Sequence, residues 1–147
     1  MTADISHAAL RNWARGSHPD EAGVEFLIRV FGGRLAGAGY PWIRSGDHGE
    51  WWVEWETITG DVIGALSGGE QRLLRLVASI GGGRPVNLAD ALAGLDRGVL
   101  RLVLAAIAHA AGSHEHSDVR VDDTGAPLAV DLLPSLYPWP GATRGPR

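Results

Sequence analysis

Ser67-Gly68-Gly69-Glu70-Gln71-Arg72-Leu73-Leu74-Arg75-Leu76-Val77-Ala78-Ser79-Ile80 opens with a helix cap and continues as an amphipathic helix. Ser67 and Glu70 have capping-box spacing: the serine oxygen accepts the N–H of Glu70, and the carboxylate reaches back to the N–H of Ser67. Leu73, Leu74, Leu76, Val77 and Ile80 then form one apolar stripe, with Arg72, Arg75 and Ser79 opposite. Gly81-Gly82-Gly83 stops the helix. Asn87 caps a short helix through Leu92, and Asp96 caps a longer one through Ala111. In that last helix Val99, Leu100, Leu102, Val103, Leu104, Ala106, Ile107 and Ala110 surround most of the circumference. A helix apolar nearly all round is expected to lie at the centre of the others. On that expectation Leu104→Ala ranks among the most damaging single changes.

Working outward, Thr2–Arg15 reads as a helix with Ile5, Ala9 and Trp13 on one face. Ser17-His18-Pro19-Asp20 starts a second helix that buries Phe26, Leu27, Val30 and Phe31, and Gly32-Gly33 ends it. Trp42-Ile43-Arg44 and Trp51-Trp52-Val53-Glu54-Trp55 flank Ser45-Gly46-Asp47-His48-Gly49, the pattern of a β-hairpin. Alternation puts Trp51, Val53 and Trp55 on one face and Trp52 with Glu54 on the other. Val119-Arg120-Val121 and Leu128-Ala129-Val130, separated by Asp122-Asp123-Thr124-Gly125, suggest a second, C-terminal hairpin. Leu136, Tyr137 and Trp139 follow and are expected to lie across the core. The fold class is therefore α+β: a mostly helical single domain over residues 1–140, with a Trp-rich antiparallel hairpin and a second hairpin near the end. Residues 141–147 read as a flexible tail.

Composition narrows the function. At 147 residues, 45% hydrophobic and 20% charged, the chain has the makings of an ordinary core. The net charge of −4 is spread: residues 1–60 carry five Arg against eight acids, 61–112 five against four, and 113–147 three against five. No basic stripe suits a phosphate backbone, which argues against nucleic acid. With no cysteine there is no disulfide, thiolate zinc site or thiol chemistry. The N-terminus shows no signal-peptide pattern, and the apolar run Leu102–Ala108 is far short of the ~20 residues of a membrane span. All 13 basic residues are Arg, as a GC-rich coding sequence gives.

Leu66-Ser67-Gly68-Gly69-Glu70-Gln71-Arg72 resembles the signature motif of the ABC and SMC/Rad50 ATPases. Downstream, Arg84 to Asp96 is similar to a Walker B strand entering a D-loop, with Ala93-Gly94-Leu95-Asp96 in the D-loop's place. The resemblance spans about residues 66–111. It implies an ATPase-like module, yet no G-x-x-x-x-G-K-[ST] and no lysine occurs, so the phosphate-binding half would have to come from a P-loop partner. Aligned on Asp96, the magnesium aspartate falls on Ala89 and the catalytic glutamate on Asp90. The same letters also read as caps at Ser67 with Glu70, at Asn87 and at Asp96. The chain also resembles short proteins of high-GC bacteria and their phages that pair an L-S-G-G-E helix with a G-L-D cap and a Y-P-W-P-like end, a resemblance that implies no activity.

Three further constellations matter. His109, His114, Glu115, His116 and Asp118 are a set of potential metal ligands, with His114, His116 and Asp118 the core of it. A solvated loop explains the same residues, and no metal or other cofactor is required. Trp52, beside Arg44 and Glu54 on the outer hairpin face, is the candidate for contacting a protein partner. Leu88–Leu92 before Gly94 loosely suggests helix-turn-helix, but only Arg97 and Arg101 would reach bases. No nucleophile–base pair stands out, so no catalytic residue is assigned. The sequence thus points to a small cytoplasmic accessory protein that acts by binding protein, of a kind carried by phages or mobile elements. A degenerate ABC/SMC-like module and a metal-dependent protein using His109–Asp118 are the alternatives.

Overall fold

The computed structural model describes the backbone of residues 2–141 and the side chains of residues 6–141. Among them, α1 (Thr2–Ala14), α2 (His18–Arg29), α3 (Gly60–Ile63), α4 (Gly68–Gly82), α5 (Leu88–Leu92) and α6 (Arg97–Ala110) are helices. The strands β1 (Ile43–Ser45) and β2 (Trp51–Val53) form one antiparallel pair, and β3 (Ser117–Val121) and β4 (Pro127–Leu132) another. Short 3-10 segments cover Val30–Ala36, Trp55–Thr57 and Ser113–Glu115. The architecture is mostly helical α+β, with a tryptophan hairpin and a C-terminal hairpin. No helix among the described residues is long and apolar enough to cross a membrane.

Local chemistry explains the helix starts. The side chains of Ser17, Ser67, Asn87 and Asp96 each accept the backbone N–H three residues on, at Asp20, Glu70, Asp90 and Val99. Each such cap is worth about 0.5–2 kcal/mol. The capping box at Ser67 forms with additions. The Glu70 carboxylate interacts with the Ser67 backbone N–H and also accepts the Ser67 hydroxyl at 2.9 Å through Oε1 and Arg34 at 3.0 Å through Oε2. Gly83, at φ 68°, closes α4 with its N–H on Ser79 and Ala78 carbonyls.

The centre of the molecule is α2, not α6. Ala22, Gly23, Val24, Phe26 and Leu27 are buried on it, and it packs against α1, α4 and α6. The expectation for α6 fails because its apolar residues divide into two adjoining stripes. Val99, Val103 and Ala106 are buried, whereas Leu100, Leu104 and Ile107 are 39–45% exposed. Leu104 is therefore no keystone. Two more burial expectations are corrected. On α1 it is Ser6, Leu10 and Ala14 that face inward and Trp13 is exposed, while Ile5 lies outside the described side chains. Phe31 is exposed, because it begins a left-handed run with Gly32 and Gly33 (φ 50°, 67° and 85°) that turns it off the helix face.

Two indoles organise the hairpin side. Trp42 is buried, stacks on Tyr40 and donates to the Leu35 carbonyl at 2.9 Å. The β2 strand ends at Val53, so Trp55 enters from a 3-10 turn, still buried, and donates to Asp20 at 2.8 Å. Its ring occupies a slot made by Gly23 of α2 with Gly81 and Gly82 of α4. A Cβ at Gly23 or Gly81 would come within 2.5 Å of the ring. Small residues here let two helices and an indole share one crossing.

The C-terminal hairpin behaves differently. β3 and β4 contact chiefly each other, paired Ser117 with Leu132, Asp118 with Asp131, Val119 with Val130 and Arg120 with Ala129. The chain returns to the helices only at its end. The Arg29 guanidinium lies over the Trp139 ring at 5.2 Å and donates to the Pro140 carbonyl at 2.8 Å. Contrary to the sequence reading, Leu136 and Tyr137 stay exposed, so Trp139 alone of those three packs inward. Residues 142–147, most of the expected tail, lie outside the described residues.

Candidate functional site

Five polar side chains from three places meet where the C-terminal segment leaves α6. His18 and Glu21 stand one turn apart on the first turn of α2, which Ser17 and Pro19 start. His109 lies in the last turn of α6. His114 and Glu115 follow on the 3-10 turn that Gly112 (φ 75°) allows after that helix. Gly112 is tight as well as left-handed, since a Cβ there would lie 3.0 Å from His18 Nδ1.

The imidazoles touch. His109 and His114 stack with centroids 4.0 Å apart, and His18 meets His114 edge-on at 4.9 Å. Each outer ring has a carboxylate: His109 Nε2 is 3.1 Å from Glu21 Oε1, and His18 Nε2 is 3.0 Å from Glu115 Oε2. Trp139 Nε1 donates to His109 Nδ1 at 3.4 Å. An indole N–H can only donate, so neutral His109 carries its proton on Nε2 and gives it to Glu21. His114 stands between them, and its Nδ1 is buried without a hydrogen-bond partner.

Electrostatics follow from this packing. Burial pushes the His114 pKa down, the neighbouring His109 and His18 charges push it further, and Glu115 and Glu21 oppose them weakly. For Glu21, burial pushes the pKa up, but the His109 hydrogen bond, the Gly16 N–H and the two imidazolium charges outweigh it, and the net shift is down. Neutral His114 and ionised Glu21 are the forms in which these groups donate electron pairs. Two sets of three potential metal ligands share His114: His18 with His114 and Glu115, and Glu21 with His109 and His114. Within each set the donor atoms lie within 4.8 Å of one another. A cleft of about 290 Å³ opens beside them, lined by Arg11, Arg15, Glu21, Val24, His109 and Trp139 among others.

The sequence-derived candidates fall in several places. Of the set His114, His116 and Asp118, only His114 joins this cluster. His116 precedes β3 and Asp118 points to its polar face, opposite Asp131. Sequence reading missed His18 and Glu21, which lie some 90 residues from their neighbours and carry no local spacing signal. Trp52 is half-buried opposite Arg44, whose guanidinium is 3.5 Å from Glu54, so these three share one side of the first hairpin. In the ABC-like stretch Ser67 is occupied with Glu70, and residues 88–92, where that resemblance implies strand, are helical. Comparison with known protein families, characterised proteins and solved structures gives no match.

A second feature is a surface. Register puts Val119, Val130 and Leu132 on one face of the C-terminal hairpin, and beside it Val121 pairs with Pro127 across a bulge that leaves Leu128 as the extra residue. The opposite face carries Asp118, Arg120 and Asp131, with Arg120 paired to Asp131 at 2.8 Å. The hairpin is amphipathic, and among the described residues its apolar side is bare: Val119, Val121, Leu128, Val130 and Leu132 are 49–79% exposed.

Proposed function

We propose that this protein acts by binding protein through the apolar face of its C-terminal hairpin, and that the occupant is a second copy of the chain. The observation that carries this reading is the exposure of all five apolar side chains on a hairpin whose other face is polar. A two-stranded hairpin is marginal in water until a further layer covers its apolar face. The five residues present roughly 500 Å² of exposed surface, near the top of what a lone monomer tolerates. Two such faces together would bury about 1,000 Å², the lower bound for a specific interface. The face carries no charge and so is complementary to itself, whereas the reverse side, with Asp118 and Asp131 against Arg120, keeps a net negative charge.

Sedimentation velocity on the full chain and on Val130→Asp tests the reading. The wild type is expected as a concentration-dependent dimer and Val130→Asp as a monomer with an unchanged helical signal. A wild type that stays monomeric at every concentration overturns self-association. A dimer dissociated by Leu104→Asp but not by Val130→Asp moves the interface to the exposed stripe of α6 and overturns the hairpin assignment.

A further inference from the structure

We propose that His18, His114 and Glu115 form a binding site for a divalent transition-metal ion, zinc being the best match to the donors. Two imidazoles and one carboxylate are a complete three-ligand set for zinc, leaving the fourth position to water or another ligand. Softer ions prefer thiolates, which this chain lacks, and Mg²⁺ and Ca²⁺ prefer sites made wholly of oxygen.

Geometry favours this set over its neighbour. The His18 Nε2 and Glu115 Oε2 atoms already face each other at 3.0 Å. The three donor atoms lie within 4.8 Å, against about 3.4 Å between ligands around zinc with bonds near 2.0–2.1 Å. Side-chain rotation closes that gap, because Glu115 is exposed and, among the described residues, its side chain is held by His18. His109 is less free. Its Nδ1 receives the Trp139 N–H and its Nε2 proton goes to Glu21, so both nitrogens are engaged. Glu21 and His109 then form an outer shell: His109 stacks on His114, and the Glu21 carboxylate offsets the charge that one carboxylate ligand leaves on the ion.

The second, independent observation is His114 itself. Its Nδ1 is buried with no hydrogen-bond partner, an arrangement that folded proteins rarely leave without a purpose. The placement also gives the ion a task. His18 begins α2, and the turn holding His114 and Glu115 runs directly into β3. An ion there would tie the base of the exposed hairpin to the central helix.

Isothermal titration of the metal-free full chain with Zn²⁺ is expected to show one saturable site per chain. His18→Gln and His114→Ala should each weaken it at least tenfold, and His116→Ala and His48→Ala should leave it unchanged. Co²⁺ in place of Zn²⁺ should give the visible absorption of a low-coordinate ion, lost in the same two variants. Melting of the wild type should rise by roughly 5–10 °C at a free zinc concentration one hundred times Kd, a readout that needs no variant to fold. Absence of saturable binding and of any melting shift overturns the site. Equal loss in His116→Ala, or a loss in His109→Ala as large as in His114→Ala with His18→Gln unaffected, overturns this choice of ligands.

Discussion

The α2–α4 crossing and the C-terminal hairpin are built from similar proportions of apolar residues and put them to opposite use. At the crossing Phe26, Leu27, Leu74 and Val77 are essentially inaccessible, and glycines admit the Trp55 ring between the helices. On the hairpin Val119, Val130 and Leu132 share one face in regular alternation, yet nothing among the described residues lies over them. Periodicity says which side of an element is apolar. It does not say whether anything within the same chain covers that side.

The largest expected effect tests the contrast directly. Leu74→Ala on α4 removes a side chain with no exposure and should cost about 2–5 kcal/mol in a denaturant melt. Leu104→Ala on the open stripe of α6 should cost less than about 1 kcal/mol, since a side chain 40% exposed leaves little cavity. Equal losses would mean that α6 is covered and that the contrast is false.

A smaller effect sharpens the comparison through acid. Glu25 of α2 takes hydrogen bonds from Arg11 of α1 at 3.0 and 3.1 Å and from Arg29 at 2.8 Å. Burial raises its pKa, but those two guanidinium partners outweigh burial and hold it below the ordinary carboxylate range. A depressed folded-state pKa means stability that is fully present above the unfolded value, about 4.3. That stability is lost as pH falls through the lower folded value. Glu25→Gln should therefore lower the melting temperature at neutral pH and flatten its decline below pH ~4. Asp131→Asn on the hairpin, whose ion pair with Arg120 is exposed, should leave the melting temperature at neutral pH nearly unchanged. A steep acid decline that survives Glu25→Gln would place the acid-sensitive contact elsewhere.

Much of this fold can be read from the chain because its signals are local. Ser17, Ser67, Asn87 and Asp96 announce helix starts through a side chain and an N–H three residues away, and both hairpins follow from alternation around polar turns. What escaped was relational. That α6 presents only one of its two apolar stripes to α2 depends on where α2 lies, and Phe31 faces outward because of a left-handed turn its own letter disfavours. The histidine site was half visible. His109, His114 and Glu115 sit close in sequence, but His18 and Glu21 reach them only after the chain has folded back across α2. His116 and Asp118 looked equally eligible until the strand direction carried them away.

The C-terminal hairpin also keeps its own time. Its ladder bonds join β3 only to β4, with the Leu133 N–H on the His116 carbonyl extending the pair. Opening it disturbs few of the contacts that hold the helices, so its amides can exchange with solvent without global unfolding. In hydrogen–deuterium exchange of the monomeric Val130→Asp variant, the Val119 and Ala129 segments should label far sooner than Leu74 and Val77. In the wild type their labelling should slow as protein concentration rises, because the clock that governs them is then the lifetime of an assembly.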